Sequence, residues 1–387
     1  MHVASVPFLV LAFLGALYYV LSTAALCSRF RARRPNTQHP TPDTQRVSVL
    51  KPVCGLEHGA RASFETFLRQ DYPDYEVIFG ALDADDPAVS VVREVEDASL
   101  VIGSGIEGSN NKVRILDNLA RHATGDILIV TDADTRVTPD FLSRIAEPFL
   151  DPRVGAVTCL YRGVGAKSIA DALEGLHMTC VFAPGVACAE RLHGIDFGLG
   201  AAIAVRRSAL DEIGGFEAIV DYLADDFQLG RRVAEAGYEV VLCDYVIEIV
   251  LGGAAMREVL ARELRWSRTT RVSRPRGHFG LVVTFGFAYA ALFLIASGFS
   301  APGWAVSAGV ALVRFATALA GARALGDREF ARRAFLLPMR DMLSFGLWLA
   351  GYLSRTVTWR GRKLRVLGDG KMVAVPPVVS TTGVGVS

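Results

Sequence analysis

The chain has 387 residues, too many for one typical domain and enough for a full-sized core plus a second region. Its 41 basic and 40 acidic side chains leave a formal charge of +1, which gives no electrostatic footprint for nucleic acid or for an acidic partner. The hydrophobic fraction of 51% and mean hydropathy of +0.32 are high for a water-soluble protein, and the excess sits at the two ends.

From Val6 to Leu26 the sequence VPFLVLAFLGALYYVLSTAAL carries no charge and is long enough to cross a bilayer as a helix. Arg29, Arg31, Arg33 and Arg34 follow it, whereas a cleaved signal peptide carries its positive charge on the other side. Residues 5–27 are therefore expected to be a retained anchor, with the next segment in the cytoplasm by the positive-inside rule.

Residues 45–275 alternate like an α/β domain. Apolar strand candidates are Val47–Leu50, Val77–Gly80, Ile127–Val130, Val154–Leu160, Ala201–Val205 and Val240–Cys243. Helical patterns between them predict a largely parallel sheet with helices on both faces. Thr138 and Pro139 are expected to open a helix that presents Phe141, Leu142, Ile145 and Phe149 on one side. Ser208 is expected to cap the helix that Gly214 and Gly215 end.

Two further apolar stretches, Gly280 to Phe299 and Gly303 to Ala322, read as an antiparallel pair of spans, the second interrupted by Arg314. The stretch Ala334 to Leu353 contains Pro338, Arg340 and Asp341, and charges at bilayer depth must face protein, water or headgroups. A re-entrant or interfacial element is favoured there over a third span, because it keeps the basic tail TWRGRKLRV in the cytoplasm. Residues 279–354 are thus the expected membrane region, and 355–387 a basic tail whose end, PPVVSTTGVGVS, reads as disordered. The six cysteines stand in apolar surroundings at neither metal-ligand nor redox spacing and are expected to be reduced.

Three acidic clusters fall where the strands of an open α/β sheet end, the edge at which such sheets bind ligands. Asp83, Asp85 and Asp86 follow one strand, Asp132 and Asp134 another, and Asp225 and Asp226 stand at a helix start. Any one alone could be a solvated loop or a cap. Asp-x-Asp after a buried strand suits a hard divalent cation, Mg2+ or Mn2+, which takes oxygen ligands and bridges to phosphate. Farther on, RELRWSRTTR places Arg265 and Trp266 three and four residues after Arg262 on one helix. Arginine forks suit a diphosphate and tryptophan offers a stacking surface. A positive-inside flank with an interfacial tryptophan is the plainer reading of the same residues.

Taken in order, LDADDPA, NNKV, TDADTR, ADDFQLG and RELRW resemble the inverting GT-A glycosyltransferases of family 2 type, most closely the ceramide glucosyltransferase group. SVLKPVCG, QDYPDYEV, IGGFEAI, the N-terminal span and the tail TWRGRKLRV extend the resemblance over nearly the whole chain. VTCLYRG and LPMRDMLSFGLWLA are at least as similar to the bacterial hopanoid-associated glycosyltransferases.

The resemblance implies a Rossmann-like GT-A catalytic domain, a UDP-sugar donor and a membrane-lipid acceptor. It implies that Asp83 and Asp86 contact uridine, that Lys112 is a further donor-site residue, and that Asp132 and Asp134 hold the metal. Asp226 would be the general base, with Asp225 beside it where relatives often carry glutamate. Arg262, Arg265 and Trp266 match a (Gln/Arg)-x-x-Arg-Trp motif at the diphosphate and acceptor. The implied location is a bacterial inner membrane, with several spans and a cytoplasmic catalytic domain. A processive polysaccharide synthase would need more spans for its channel, and a silent scaffold would have lost its acids.

Overall fold

The computed structural model describes residues 5–31, 45–359 and 362–375; Arg33, Arg34 and the stretch 376–387 lie outside the described residues. The uncharged N-terminal run forms one helix, α1 (Val6–Arg31). The apolar runs of the middle region form β1 (Val47–Pro52), β2 (Tyr75–Ala81), β3 (Ser99–Ile102), β4 (Ile127–Thr131), β5 (Thr135–Arg136), β6 (Val154–Val164), β7 (Ala202–Arg206) and β8 (Glu239–Val250). Between them lie α2 (Ala60–Phe67), α3 (Pro87–Arg93), α4 (Asn111–His122), α5 (Phe141–Ala146), α6 (Ile169–His177), α7 (Ala183–His193), α8 (Arg207–Glu212) and α9 (Asp225–Glu235).

The strands form one sheet in the order β3-β2-β1-β4-β7-β6-β8-β5. Pairing is parallel from β3 through β4 and between β6 and β8. β7 runs antiparallel between β4 and β6, and the short β5 antiparallel beside β8. Successive side chains of a strand point to opposite faces. Val47, Val49, Ile127 and Ile129 accordingly enter a core with Phe64, Phe67 and Phe141 from α2 and α5. Leu50, Leu128 and Val130 enter another with Leu116, Leu210 and Leu229 from α4, α8 and α9. Burial on both faces is why these strands read as unbroken apolar runs.

Two helix starts differ from expectation. α5 begins at Phe141 with Asp140 at its cap position, and Thr138 instead accepts from the Phe141 N–H through its carbonyl. The four residues expected on its inner side are buried. α8 begins at Arg207, one residue before the expected cap Ser208, because Arg207 is held by its own bonds. Its N–H donates to the Asp126 carbonyl and its guanidinium to the carbonyls of Ala120, Ala123 and Gly125.

The C-terminal region comprises α10 (Met256–Ser273), α11 (Pro275–Gly280), α12 (Gly286–Ala296), α13 (Ala301–Leu325), α14 (Phe330–Arg333) and α15 (Leu337–Gly351). Among the described residues three helices are long and apolar enough to cross a membrane: α1, α13 and the continuous unit Ile169–His193 formed by α6, a π-helical turn and α7. A fourth is formed if Pro275–Thr284 and Gly286–Ala296, bent by 52°, count as one span. The Ile169–His193 unit was not marked in the sequence, since Asp171, Glu174 and His177 break its hydropathy. α1 packs on α12 so closely that Gly15 and Gly286 meet backbone to backbone, an approach that side chains would block.

α15, at about 1.5 Å per residue, is about 22 Å long and too short to cross alone. Its charges are buried but do not pair with each other. Successive helix residues point about 100° apart. Asp341 therefore meets Arg314 of α13 at 2.6 and 2.7 Å, and Arg340 meets Glu263 of α10 at 2.7 Å.

The basic tail is ordered as an antiparallel sheet of β9 (Thr356–Trp359), β10 (Arg362–Val366) and β11 (Met372–Ala374). It returns to the α/β region through a core of Leu223, Val357, Leu364, Val366 and Met372. The Met372 N–H also donates to the Asp221 carbonyl at 2.7 Å.

Candidate functional site

The strand order reverses between β1 and β4, which opens a crevice beyond their carboxyl ends. The turn Asp132-Ala133-Asp134 lies there, and β5 pins its far side to β8 while the Val250 N–H donates to the Asp134 carbonyl at 2.9 Å. From the end of β1 the fully buried Lys51 reaches beneath the turn. Its ammonium donates to the Asp132 carbonyl at 2.7 Å, to Thr135 Oγ1 at 3.1 Å and to Thr131 Oγ1 at 3.3 Å, and it lies over the Phe67 ring at 3.9 Å. Burial lowers this ammonium to about 7 against the opposing pull of Asp134 and Asp132.

α9 delivers the third acidic cluster. Asp225 and Asp226 are its first two residues, where the helix N-terminus favours negative charge. Asp225 lies 3.4 Å from Lys112, which donates to Asp132 Oδ1 at 2.8 Å from the first turn of α4. Burial would lower Lys112, but Asp132 and Asp225 outweigh it and hold the ammonium above its ordinary value. Asp226 faces Asp132 across Gly200. A Cβ at Gly200 would stand 3.0 Å from Asp226 Oδ2 and 4.0 Å from Asp132 Oδ2, so the missing side chain leaves the space between the two acids open. Burial, followed by Asp225, raises the Asp226 carboxyl to about 7. Burial, followed by Asp132 and Glu57, raises Asp134 to about 7.

α10 lies across the mouth of this crevice. Asp171 of α6 fixes its approach by accepting from the N–H groups of Gly253 and Ala254. The three residues singled out on α10 diverge. Arg262 pairs with buried Glu174 of α6 at 2.6 Å, and Trp266 stacks on His177 at 6.1 Å between centroids. Arg265 lies over the ring of Trp359 from β9 at 5.7 Å and, among the described residues, has no carboxylate at ion-pair distance. Burial and neighbouring Arg262 lower the Arg265 guanidinium, which leaves a cation in need of an anion.

Asp83 is exposed on the loop after β2. Asp86 is engaged in the fold: its carboxylate caps α3 by accepting from the Ala88 N–H at 2.9 Å and also accepts from the Gly55 N–H at 2.9 and 3.0 Å. Even so, Asp83, Asp86, Lys112, Asp132, Asp134, Asp225, Asp226, Arg262, Arg265 and Trp266 all line one cavity of about 1820 Å3. It continues past Tyr161 and Phe182 to Tyr18 and Tyr19 of α1 and Arg314 of α13, so its two ends are an acidic crevice and the apolar helices.

Sequence reasoning did not single out Lys51, Glu174, Tyr161 or Trp359. Lys51 stood inside the quoted run SVLKPVCG and Trp359 inside TWRGRKLRV, and a charge closing an apolar strand was the one available signal for Lys51. Nothing local marked Glu174, whose partner lies 88 positions away.

The donor set bears on the cation that Asp-x-Asp implies. Among the described residues no group of three or more His, Cys, Asp or Glu side chains forms a protein cage. Four carboxylates, Asp132, Asp134, Asp225 and Asp226, nevertheless share the crevice; burial, then Asp132 and Glu57, raise Asp134 to about 7, and burial, then Asp225, raise Asp226 to about 7. That excess of hard oxygen donors fits a magnesium-like or manganese-like ion bound through one or two carboxylates, with substrate oxygens and water completing its shell.

A mixed, mainly parallel sheet with Asp-x-Asp at its switch point and an acid-lined crevice defines a glycosyltransferase fold of the GT-A class. The chain belongs to glycosyl transferase family 21, whose sequence profile matches residues 8–372. It is 25% identical over 233 residues to ceramide glucosyltransferase 3 of Caenorhabditis elegans, covering 57% of this chain and 49% of that one. Ceramide glucosyltransferase 1 of the same organism is 24% identical over 237 residues, covering 59% and 50%. A ceramide glucosyltransferase of Gibberella zeae is 28% identical over 163 residues, 38% of this chain and 31% of that one. The chain thus spans half or less of the length of these curated relatives. Among solved structures, a mannosyltransferase from Pyrobaculum calidifontis in complex with GDP-Man and Mn2+ shares 21% identity at a TM-score of 0.49, covering 89% of this chain and 97% of that one.

Proposed function

We propose that the protein transfers a hexose from a UDP-sugar to the hydroxyl of a membrane lipid, in the manner of a ceramide glucosyltransferase, with inversion at the anomeric carbon. The observation that carries this reading is the single cavity joining the acidic crevice to the apolar helices. A water-soluble donor and a lipid acceptor need such a connection to meet.

The donor diphosphate lies toward Lys112 and Arg265, the latter a cavity-lining cation of α10 that has no carboxylate at ion-pair distance among the described residues. The acceptor hydroxyl comes from the helix side past Tyr161 and Trp266, and attacks the anomeric carbon as UDP departs. Asp226 accepts the hydroxyl proton. Its raised carboxyl supports that role, since a general base works best when its proton affinity is close to the operating pH. Lys51 holds the Asp132–Thr135 turn in place from below. When bound at Asp132 and Asp134, a divalent cation supplies charge neutralisation for the leaving diphosphate. Asp86 shapes the loops around the uridine site, and Asp83 is the exposed acid able to reach the base. The protein acts as a multi-pass component of a bacterial inner membrane with its α/β region on the cytoplasmic side.

The test is UDP release by purified protein given UDP-glucose or UDP-N-acetylglucosamine together with ceramide, diacylglycerol or a hopanoid polyol. Release that requires one of these lipids, with the matching glycolipid seen by mass spectrometry, supports the reading and names both substrates. Absence of product with every pair rejects it in favour of a non-catalytic binding role.

A further inference from the structure

A second concavity, of about 510 Å3, lies outside the large cavity where the end of α15 meets β9 and β10. It is lined by Arg271, Arg355 and Arg365 with Tyr352, Leu353, Ser354 and Thr356, and no carboxylate lines it. Among the described residues none of the three arginines makes an ion pair. Arg271 is held in place, donating to the Ser354 carbonyl at 3.1 Å with its guanidinium 5.7 Å from the centre of the Tyr352 ring. Arg355 and Arg365 are exposed and are brought together by the tail sheet: Arg365 is in register with Thr356, and the Val366 N–H donates to the Arg355 carbonyl at 2.9 Å. The crowding extends to Arg268, one turn before, whose guanidinium is lowered by burial and by Arg271. Three cations around one hollow repel one another unless an anion lies between them, and the planar guanidinium fork matches phosphate oxygens.

The rim indicates where that anion comes from. Leu353 is 84% exposed and Tyr352 41% exposed. The Tyr352 hydroxyl lies 3.1 Å from the ring of His278, and the next residue, Phe279, is 65% exposed. From there α11 leads through the 52° bend into the apolar α12. A site for free phosphate has no need of these uncovered apolar side chains. Exposed aromatic and apolar side chains beside arginines at the end of a span suit the depth of lipid headgroups and upper acyl chains. We propose that Arg271, Arg355 and Arg365 bind the phosphate of an anionic phospholipid, with its acyl chains against Leu353 and Phe279. The bound lipid would tie the tail sheet to the bilayer, and with it Trp359, which covers Arg265. The site does not depend on which sugar or acceptor the large cavity takes.

Full-length protein in a neutral detergent is titrated calorimetrically with dihexanoyl-phosphatidylglycerol. Saturable binding of one lipid per chain is expected, weakened tenfold or more by Arg355→Ser with Arg365→Ser and retained by the corresponding pair of lysine substitutions. Both positions are exposed, and unchanged melting temperatures of the variants show that the fold persists. Dihexanoyl-phosphatidylcholine should not bind, and tenfold excess inorganic phosphate should not displace the anionic lipid. Equal binding by the serine variant, equal binding of the zwitterionic lipid, or displacement by the tenfold excess of phosphate would each overturn the assignment, the last by showing a site for the free anion.

Discussion

The Lys51 ammonium and the Asp132 carbonyl are 2.7 Å apart, and the same ammonium bonds the hydroxyls on either side of the Asp-x-Asp turn. The charge is therefore spent on the turn's backbone rather than offered to a substrate. Hydrogen bonds from a charged donor contribute roughly 1.5–3 kcal/mol each, and Lys51→Met leaves their acceptors buried. Thermal unfolding should show a loss of at least about 2 kcal/mol. Because the turn carries Asp132 and Asp134, Mn2+ affinity measured by calorimetry should fall as well, with little change in acceptor KM. A Lys51→Met protein that keeps wild-type stability and metal affinity would show that the turn stands without it.

Asp226→Asn removes the proposed base but keeps its shape next to Gly200. Turnover should fall by about 10²–10⁴-fold, the usual range for a general base, while UDP affinity changes by less than about threefold. In the wild type, kcat/KM should rise with pH through about 7, as the Asp226 carboxyl loses its proton, and level off above. Turnover of the asparagine variant within a factor of three of wild type would remove the assignment.

The Asp134 carboxyl, raised from 3.8 to about 7, makes cation binding and proton release one event. Calorimetry at pH 6.5 in two buffers of different ionisation heat should show Mn2+ displacing roughly three-quarters of a proton, with affinity rising between pH 6 and 8. Asp134→Asn should abolish most of the binding and the proton release. The same shift affects stability in the metal-free protein. Between about 4 and about 7 the folded chain holds a proton that the unfolded chain has lost, so its contribution is complete below 3.8 and disappears as the pH rises through about 7. Melting temperature without metal should fall from pH 5 to 8, and Mn2+ should restore more of it at pH 8 than at pH 6.

What the sequence displays and what it hides divide along physical lines. The Asp-x-Asp turn could be read because an apolar run ending in acids is a local pattern, and α1 and α13 because hydropathy is summed along the chain. The direction of β7 could not, since alternation is the same for either strand direction. Glu174 and Arg262 meet over 88 positions, and the tail sheet closes on Asp221 from more than a hundred residues away, contacts that no local window contains. The Ile169–His193 unit stayed hidden because its Asp171 and Glu174 serve the crevice and lower its hydropathy. Asp86 carries a second role that the motif alone does not display, since its oxygens also accept from backbone N–H groups of Gly55 and Ala88.

Arg314 and Asp341 form the remaining test, because they are both buried within the helical region and bonded through two parallel contacts of 2.6 and 2.7 Å. Arg314 also donates to the Cys180 carbonyl at 3.0 Å and lies over the Tyr19 ring at 4.4 Å, so one side chain joins α1, the π-helical turn, α13 and α15. Removing one member of such a pair leaves a buried charge without its counter-ion, at a cost of roughly 3–5 kcal/mol, whereas replacing both with apolar residues of similar size is often close to neutral. Asp341→Leu should therefore lower the melting temperature in detergent far more than Arg314→Met together with Asp341→Leu. If the pair serves only to join the helices, the double variant should also recover transfer activity. A double variant as stable as wild type but inactive would instead place the pair, which lines the cavity at its membrane end, in contact with the acceptor.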